Sequence, residues 1–332
     1  MIKLIAETAW HHDGDFDFMS DLVENLINNS AADFIKLHIT LDFDEYMLSD
    51  HPGYKFLAGK ALKREQWQVL IEKINTSSKK LMLLFNDSKA IEFGMKFNPE
   101  LIEIHSVCLN DFHLLTSLKK YNDRSIPLAL GIGGSTLYEI ENAISFMETD
   151  NIVLIHGFQN YPTNYSDINF KRIRRIMNLY PNFRHGYADH TAWDEPNNNL
   201  ISLMGAALGM DYVEKHVTTR IGEERTDWQA AIGIDQFNKL VDDIKILDQC
   251  NGNGMLKLNE GELKYSIFGP NKKAAFLTRR LKKGEALREN DISFKRTSQL
   301  SDTSQTEVWE LIGKQVTSTC EKNTLIAKDK FE

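Results

Sequence analysis

Residues 183–190 read FRHGYADH and run into TAWDE at 191–195. The run begins like a strand and ends in a charged loop, with Asp189 and His190 at the join. Seven other short runs share its texture: IKLIAETA from Ile2, DFIKLHIT from Asp33, KLMLLF from Lys80, LIEIHSV from Leu101, IPLALGI from Ile126, NIVLIHGF from Asn151 and MDYVEKHV from Met210. Stretches between them, such as MSDLVENLINNS, REQWQVLIEKINTS, LYEIENAISFM and QFNKLVDDIKILDQC, carry apolar residues at the three- and four-residue spacing of a helix. Strand then helix, eight times over roughly 250 residues, predicts a (β/α)8 TIM barrel.

Polar residues are not scattered over these runs. Glu7, Lys36, His38, Glu103, Ser106, His156, His190, Glu214 and His216 fall in the later half of a run or just past it. In a barrel of this kind that is the face where active sites are built. Strand ends are also polar because they meet water, so each residue has a bland reading beside the functional one.

After Cys250 the texture changes. NGNGMLKLNEGE is a connector rich in Gly, Asn, Lys and Glu, and from about Asn271 the chain reads as a small second domain of short strands and turns. The boundaries expected are a barrel over 1–250, a connector over 251–270 and the small domain over 271–332.

Composition removes several function classes. A formal net charge of -8 over 332 residues disfavours sequence-independent nucleic-acid binding. Cys108, Cys250 and Cys320 form no CxxC pair, so neither a disulfide framework nor a thiolate zinc site is expected, and a reducing cytoplasm fits best. The opening MIKLIAETAWHHDGDF does not read as a signal peptide, and no segment approaches the ~20 apolar residues that span a bilayer.

Alternation along YADH and VEKH puts 188 with 190, and 214 with 216, on one strand face each. Imidazoles His190 and His216 on consecutive strands are therefore either a metal-binding pair or two hydrogen-bonded structural histidines. With two nitrogens and no thiolate, an ion completed by oxygen ligands, manganese or magnesium, suits the pair better than zinc. Glu7 and Asp227 are carboxylates for proton transfer or for gripping hydroxyls, unless Asp227 is merely solvated. Lys36, inside the apolar FIKLHI, needs an anion: a substrate phosphate or carboxylate, or a salt bridge to Glu7 or Glu103. Tyr161, in the loop YPTNYSDINF, either contacts a ligand or plugs the barrel mouth.

Taken in order, these motifs resemble the sialic acid synthase (N-acetylneuraminate synthase) family, which condenses phosphoenolpyruvate with an N-acylhexosamine. IAETAWHHDGD is similar to the family's IAEIGxNHNG, IKLH to VKFQ, IEIHS to KIxS, IHGFQNYPTNYSDINF to LHCxxxYPTPYEDxNL, GYADHT to GLSDHT and GAALGMDYVEKHV to GAxxIEKHF. KKGEALRENDISFKR and LIGK resemble the antifreeze-like (SAF) C-terminal domain. The resemblance implies manganese, with magnesium or cobalt as substitutes, held by His190 and His216, with Glu7 beside them as the further catalytic residue. It implies sugar contacts from Glu7, Tyr161 and Asp227 and donor contacts from Lys36 and Ser106, with His38 and Gln159 among the substrate-binding residues. It also implies a domain-swapped homodimer in which Lys273, or Lys272, stands where the family has an arginine over the sugar. The expected function is then a cytoplasmic synthase making a sialic-acid-like 3-deoxy-2-ulosonic acid and phosphate. The alternative is a divergent member with an altered, aldolase- or lyase-like donor, or a catalytically silent sugar-binding protein.

The departures from the family pattern cluster in the donor pocket. Glu103 stands for a phosphate-binding lysine, Cys108 for a carboxylate, Gly131 and Ala188 for serines and Leu84 for a threonine. At ~4 Å and an effective dielectric near 20 a unit charge pair is worth about 4 kcal/mol, so reversing the sign at Glu103 moves its interaction with a phosphate by roughly 8 kcal/mol.

Overall fold

The computed structural model describes all 332 residues. They fold as two compact units, Met1–Gly252 and Asn253–Glu332. In the first, eight strands pair in parallel and in sequence order: β1 (Lys3–Glu7), β2 (Phe34–Ile39), β3 (Lys80–Phe85), β4 (Leu101–Ile104), β5 (Leu128–Gly131), β6 (Ile152–Gly157), β7 (Arg184–Asp189) and β8 (Tyr212–Thr218). Pairing of β1 with β8, from Lys3 against Tyr212 to Glu7 against His216, closes the barrel. Seven strands lie within the runs picked out in the sequence, and β8 passes the end of its run by one residue, Thr218.

Helices cross back between the strands: Phe16–Asn29, Arg64–Asn75, Ser88–Gly94, Phe112–Tyr121, Leu137–Met147, Phe170–Leu179, Asn198–Ala206 and Ile234–Asn251. Their starts follow from local chemistry. The Asp15, Asp87 and Asp111 side chains accept the free N–H groups of the first turn, and Thr136 with Glu139 forms a capping box. Leucine, isoleucine and phenylalanine side chains from the outer strand faces and inner helix faces form one buried layer around the barrel.

Inside the barrel the side chains are stratified. A floor of Ile5, Phe34, Met82, Leu101, Ala129, Val153 and Tyr212 is apolar and buried. Above it, toward the carboxyl ends of the strands, lie Lys36, Glu103 and Glu214, and then Glu7, His38, His105, His190 and His216. The period of two along each strand builds these strata, because residues two apart repeat on the inner face. The connection after β2 holds two short helices, Phe43–Tyr46 and Tyr54–Ala58, before the crossover helix Arg64–Asn75.

The second unit has its own small core, built from Ala275, Leu277, Leu281, Leu287, Val308, Leu311, Val316, Cys320, Ile326 and Phe331. Its one regular sheet pairs Ala274–Leu277 antiparallel with Ile292–Lys295. The stretch expected as a connector belongs to this unit: it contains the short helix Glu260–Lys264, and Phe268 pairs with Ser301.

Candidate active site

A cavity of about 230 Å3 opens at the carboxyl ends of the barrel strands. Glu7, Lys36, His38, Ser106, Tyr161, His190, His216 and Asp227 all line it. Gln159 does not: it follows Phe158 outward in the loop after β6 and is absent from the lining. Lys272 and Lys273 belong to the second unit. The His156 imidazole pairs with a neighbouring ring, its Nε2 lying 3.0 Å from His185 Nδ1. Arg184 starts β7 at the opposite barrel end and is tied to Asn151 Oδ1 at 2.6 Å, so it brings no cation to the cavity.

Lys36 sits at the centre of the charged stratum. Its Nζ lies 2.7 Å from Glu103 Oε2, 2.9 Å from Glu214 Oε2 and 3.2 Å from Glu7 Oε2. The salt-bridge reading of this lysine is the one the geometry shows, with three carboxylates instead of one. Burial opposes the ammonium charge, but the three anions outweigh it and hold the Lys36 pKa well above its ordinary value. One cation cannot satisfy three carboxylates. Burial raises Glu103 to about 7, with Lys36 opposing and Glu214 adding to the rise. Burial likewise raises Glu214 to about 8, against Lys36 and with Glu7. Glu214 was noted in the sequence only as a strand-end acid; its role as a partner of Lys36 was missed, although it shares its strand face with His216.

Toward the mouth, the His190 and His216 rings meet edge to face with centroids 4.9 Å apart. Burial keeps both neutral, lowering His190 to about 4 and His216 well below its ordinary value. Glu7 Oε2 is 3.6 Å from His216 Nε2. A buried pair on the outer barrel face fixes this arrangement. Asp189 and Lys215, the neighbours in sequence of the two histidines, stand opposite each other across β7 and β8, with Lys215 Nζ 3.0 Å from Asp189 Oδ2. Asp189 also accepts from Ser202 Oγ at 2.5 Å and Thr191 Oγ1 at 2.6 Å. Because side chains alternate, locking these two outward turns His190 and His216 inward.

Could the pair hold an ion? No three His, Cys, Asp or Glu side chains converge on one point as a ligand set. Yet both imidazoles are neutral, and the buried Nδ1 atoms of His190 and His216 have no hydrogen-bond partner. The pair therefore fits a divalent ion whose remaining positions are filled by water or substrate oxygen.

Loop residues frame the mouth. The Tyr161 hydroxyl donates to the Asp227 carbonyl, and Asp227 Oδ2 accepts from Trp10 N at 3.3 Å. Burial raises the Asp227 carboxyl to about 6. On the β2 and β4 side stand two more neutral imidazoles: His38, whose Nε2 lies 2.7 Å from Asn86 Nδ2, and His105, whose buried Nδ1 has no partner. His105 and Trp10 were not singled out from the sequence, since an x position in a motif carries no signal.

The altered donor residues are also placed. Glu103 and Ala188 line the cavity, whereas Leu84 and Cys108 are buried outside it. Gly131 lines it too, and a Cβ there would come within 2.8 Å of the Ser106 backbone nitrogen.

The NeuB family matches residues 30–255. An uncharacterized protein of Methanocaldococcus jannaschii is 27% identical over 300 residues, covering 88% of this chain and 84% of that protein. The N,N'-diacetyllegionaminic acid synthase of Legionella pneumophila is 23% identical over 99% of this chain and 94% of its own. Among solved structures, a putative spore coat polysaccharide biosynthesis protein E from Chromobacterium violaceum superposes with a TM-score of 0.81 at 19% identity, covering 100% of both chains. The matched span takes in seven of the eight barrel strands and both His190 and His216, and this chain belongs to the NeuB family of sialic acid synthase relatives.

Proposed function

We propose that this chain is a carbon–carbon bond-forming synthase that joins a three-carbon pyruvyl donor to the aldehyde carbon of an N-acylhexosamine, giving a sialic-acid-like 3-deoxy-2-ulosonic acid. Phosphoenolpyruvate is the donor the family suggests, and phosphate would then be the second product. The observation that carries the reading is the convergence of the His190–His216 pair with Glu7, Tyr161 and Asp227 on one cavity at the catalytic end of a barrel.

Manganese, or magnesium or cobalt in its place, would be held by His190 and His216 and would supply Lewis-acid polarisation of the aldehyde oxygen. The chain's own residues do the rest. Glu7, fixed between Lys36 and His216, faces the cavity as an acceptor for sugar hydroxyls. Tyr161 and Asp227 brace each other across the mouth and position the sugar. The buried walls exclude bulk water, which strengthens every polar contact made inside.

The test is direct. The protein, with manganese and a panel of N-acylhexosamines, is mixed with phosphoenolpyruvate or pyruvate; an ulosonic acid detected by mass spectrometry is expected, with phosphate release if the donor is phosphoenolpyruvate. Silence with both donors, across a panel of sugars that still bind, would sink it. One observation favours a second reading with a changed donor: the only cation lining the cavity, Lys36, is already held by three carboxylates.

A further inference from the structure

We infer that the donor half of this cavity takes an unphosphorylated 2-oxo acid of the pyruvate class in place of an enol phosphate. The inference rests on the synthase reading above and concerns only the form of the donor.

Three observations carry it. First, the lining contains no arginine and one lysine, and that lysine is saturated by Glu7, Glu103 and Glu214 at 2.7–3.2 Å. A phosphate would have to draw Lys36 away from three buried carboxylates or sit beside them unneutralised. Second, the other polar groups on this side are neutral hydrogen-bonding ones: His38 held by Asn86, His105 with a bare buried Nδ1, and Ser106. Such groups suit a carbonyl and a single carboxylate better than a multiply charged ester. Third, the corner between β4 and β5 is closed to a side chain at 131, because a Cβ there would meet the Ser106 backbone nitrogen at 2.8 Å. A hydroxyl could not be presented from that position without moving the backbone.

The bond changes balance without phosphate or water. A C–H bond of the donor's methyl group breaks and its proton passes to the Glu103 carboxylate, which lines the cavity. The electron pair becomes the enolate double bond, whose carbon bonds to the aldehyde carbon, and the aldehyde oxygen takes up the proton. The product is a 4-hydroxy-2-oxo acid, and the reaction is reversible in principle.

Methyl exchange tests this without any sugar. The full-length protein with magnesium or manganese is incubated with pyruvate in D2O, and deuterium in the methyl group is read by mass spectrometry against ion and buffer alone. Exchange is expected to exceed that background by roughly a hundredfold or more. Phosphoenolpyruvate, with the same sugar panel, is expected to release no phosphate. Phosphate release with phosphoenolpyruvate and no pyruvate exchange would overturn the inference while leaving the synthase reading intact. Exchange at background, no phosphate release and no sugar binding by calorimetry would overturn both.

Discussion

Replacing Glu103 by glutamine isolates the buried charge cluster. The carboxyl is raised from an ordinary 4.5 to about 7 in the folded chain. Below pH 4.5 it is protonated in both states and has no effect on the pH dependence. As pH rises through the folded value, the unfolded chain ionises first, so stability is lost; integrating the linkage between pH 5 and 8 gives about 2.5 kcal/mol. The buried histidines act with the opposite sign, since they are held neutral and cost stability only as pH falls below their unfolded value. They are common to wild type and variant, so the difference between the two stability profiles removes them. Glu103→Gln should therefore gain about 2.5 kcal/mol on wild type between pH 5 and pH 8. Relief of Glu214 by the freed Lys36 adds in the same direction. Urea unfolding in metal-free buffer, followed by the fluorescence of Trp10, Trp67, Trp193 and Trp228 in the barrel, measures it. A difference that stays flat from pH 5 to 8, or falls, would refute the placement of Glu103 in a carboxylate-rich, water-poor stratum.

Removing the cation should do the reverse. Lys36→Met leaves three buried carboxylates facing one another, and urea unfolding at pH 8 should show a loss of about 3–5 kcal/mol that shrinks toward pH 5 as Glu103 and Glu214 protonate. Glu103→Lys puts a second cation into the stratum, and calorimetry should then show phosphate binding that wild type lacks; no gain would mean that the corner at Gly131 alone bars phosphate. His190→Ala and His216→Ala should each abolish manganese binding by calorimetry with the fold unchanged by circular dichroism. Asp189→Asn, which breaks a buried pair on the outer face, should cost about 3–5 kcal/mol and also weaken manganese binding, although it touches no cavity residue.

Much of this architecture is legible in the sequence. All eight strands were legible because parallel strands buried on both faces are continuous apolar runs, and their spacing admitted a helix between each pair. His190 and His216 were legible because a charged or imidazole side chain inside such a run has few bland explanations. What escaped notice were relations between strands. Nothing in FIKLHI says that Lys36 will meet Glu103 and Glu214, residues 67 and 178 positions further on, because barrel closure sets that proximity. The Asp189–Lys215 lock was hidden for the same reason. Gln159 was carried along by its motif, yet the chain turns at Gly157 and Phe158, both with positive φ, and takes the glutamine out of the cavity lining.

The apolar floor beneath the charged stratum has a kinetic consequence. A barrel plugged from below by Ile5, Phe34, Met82, Leu101 and Tyr212 is open to a ligand only at the carboxyl ends of its strands, where Tyr161 and Asp227 line the cavity above Lys36. On the proposed reading, a sugar seated at that mouth would close the route to the interior. The smaller reactant must therefore arrive first and the product must leave before the next one enters, so initial-rate patterns should show compulsory order, with the sugar acting as a dead-end inhibitor when it binds too early.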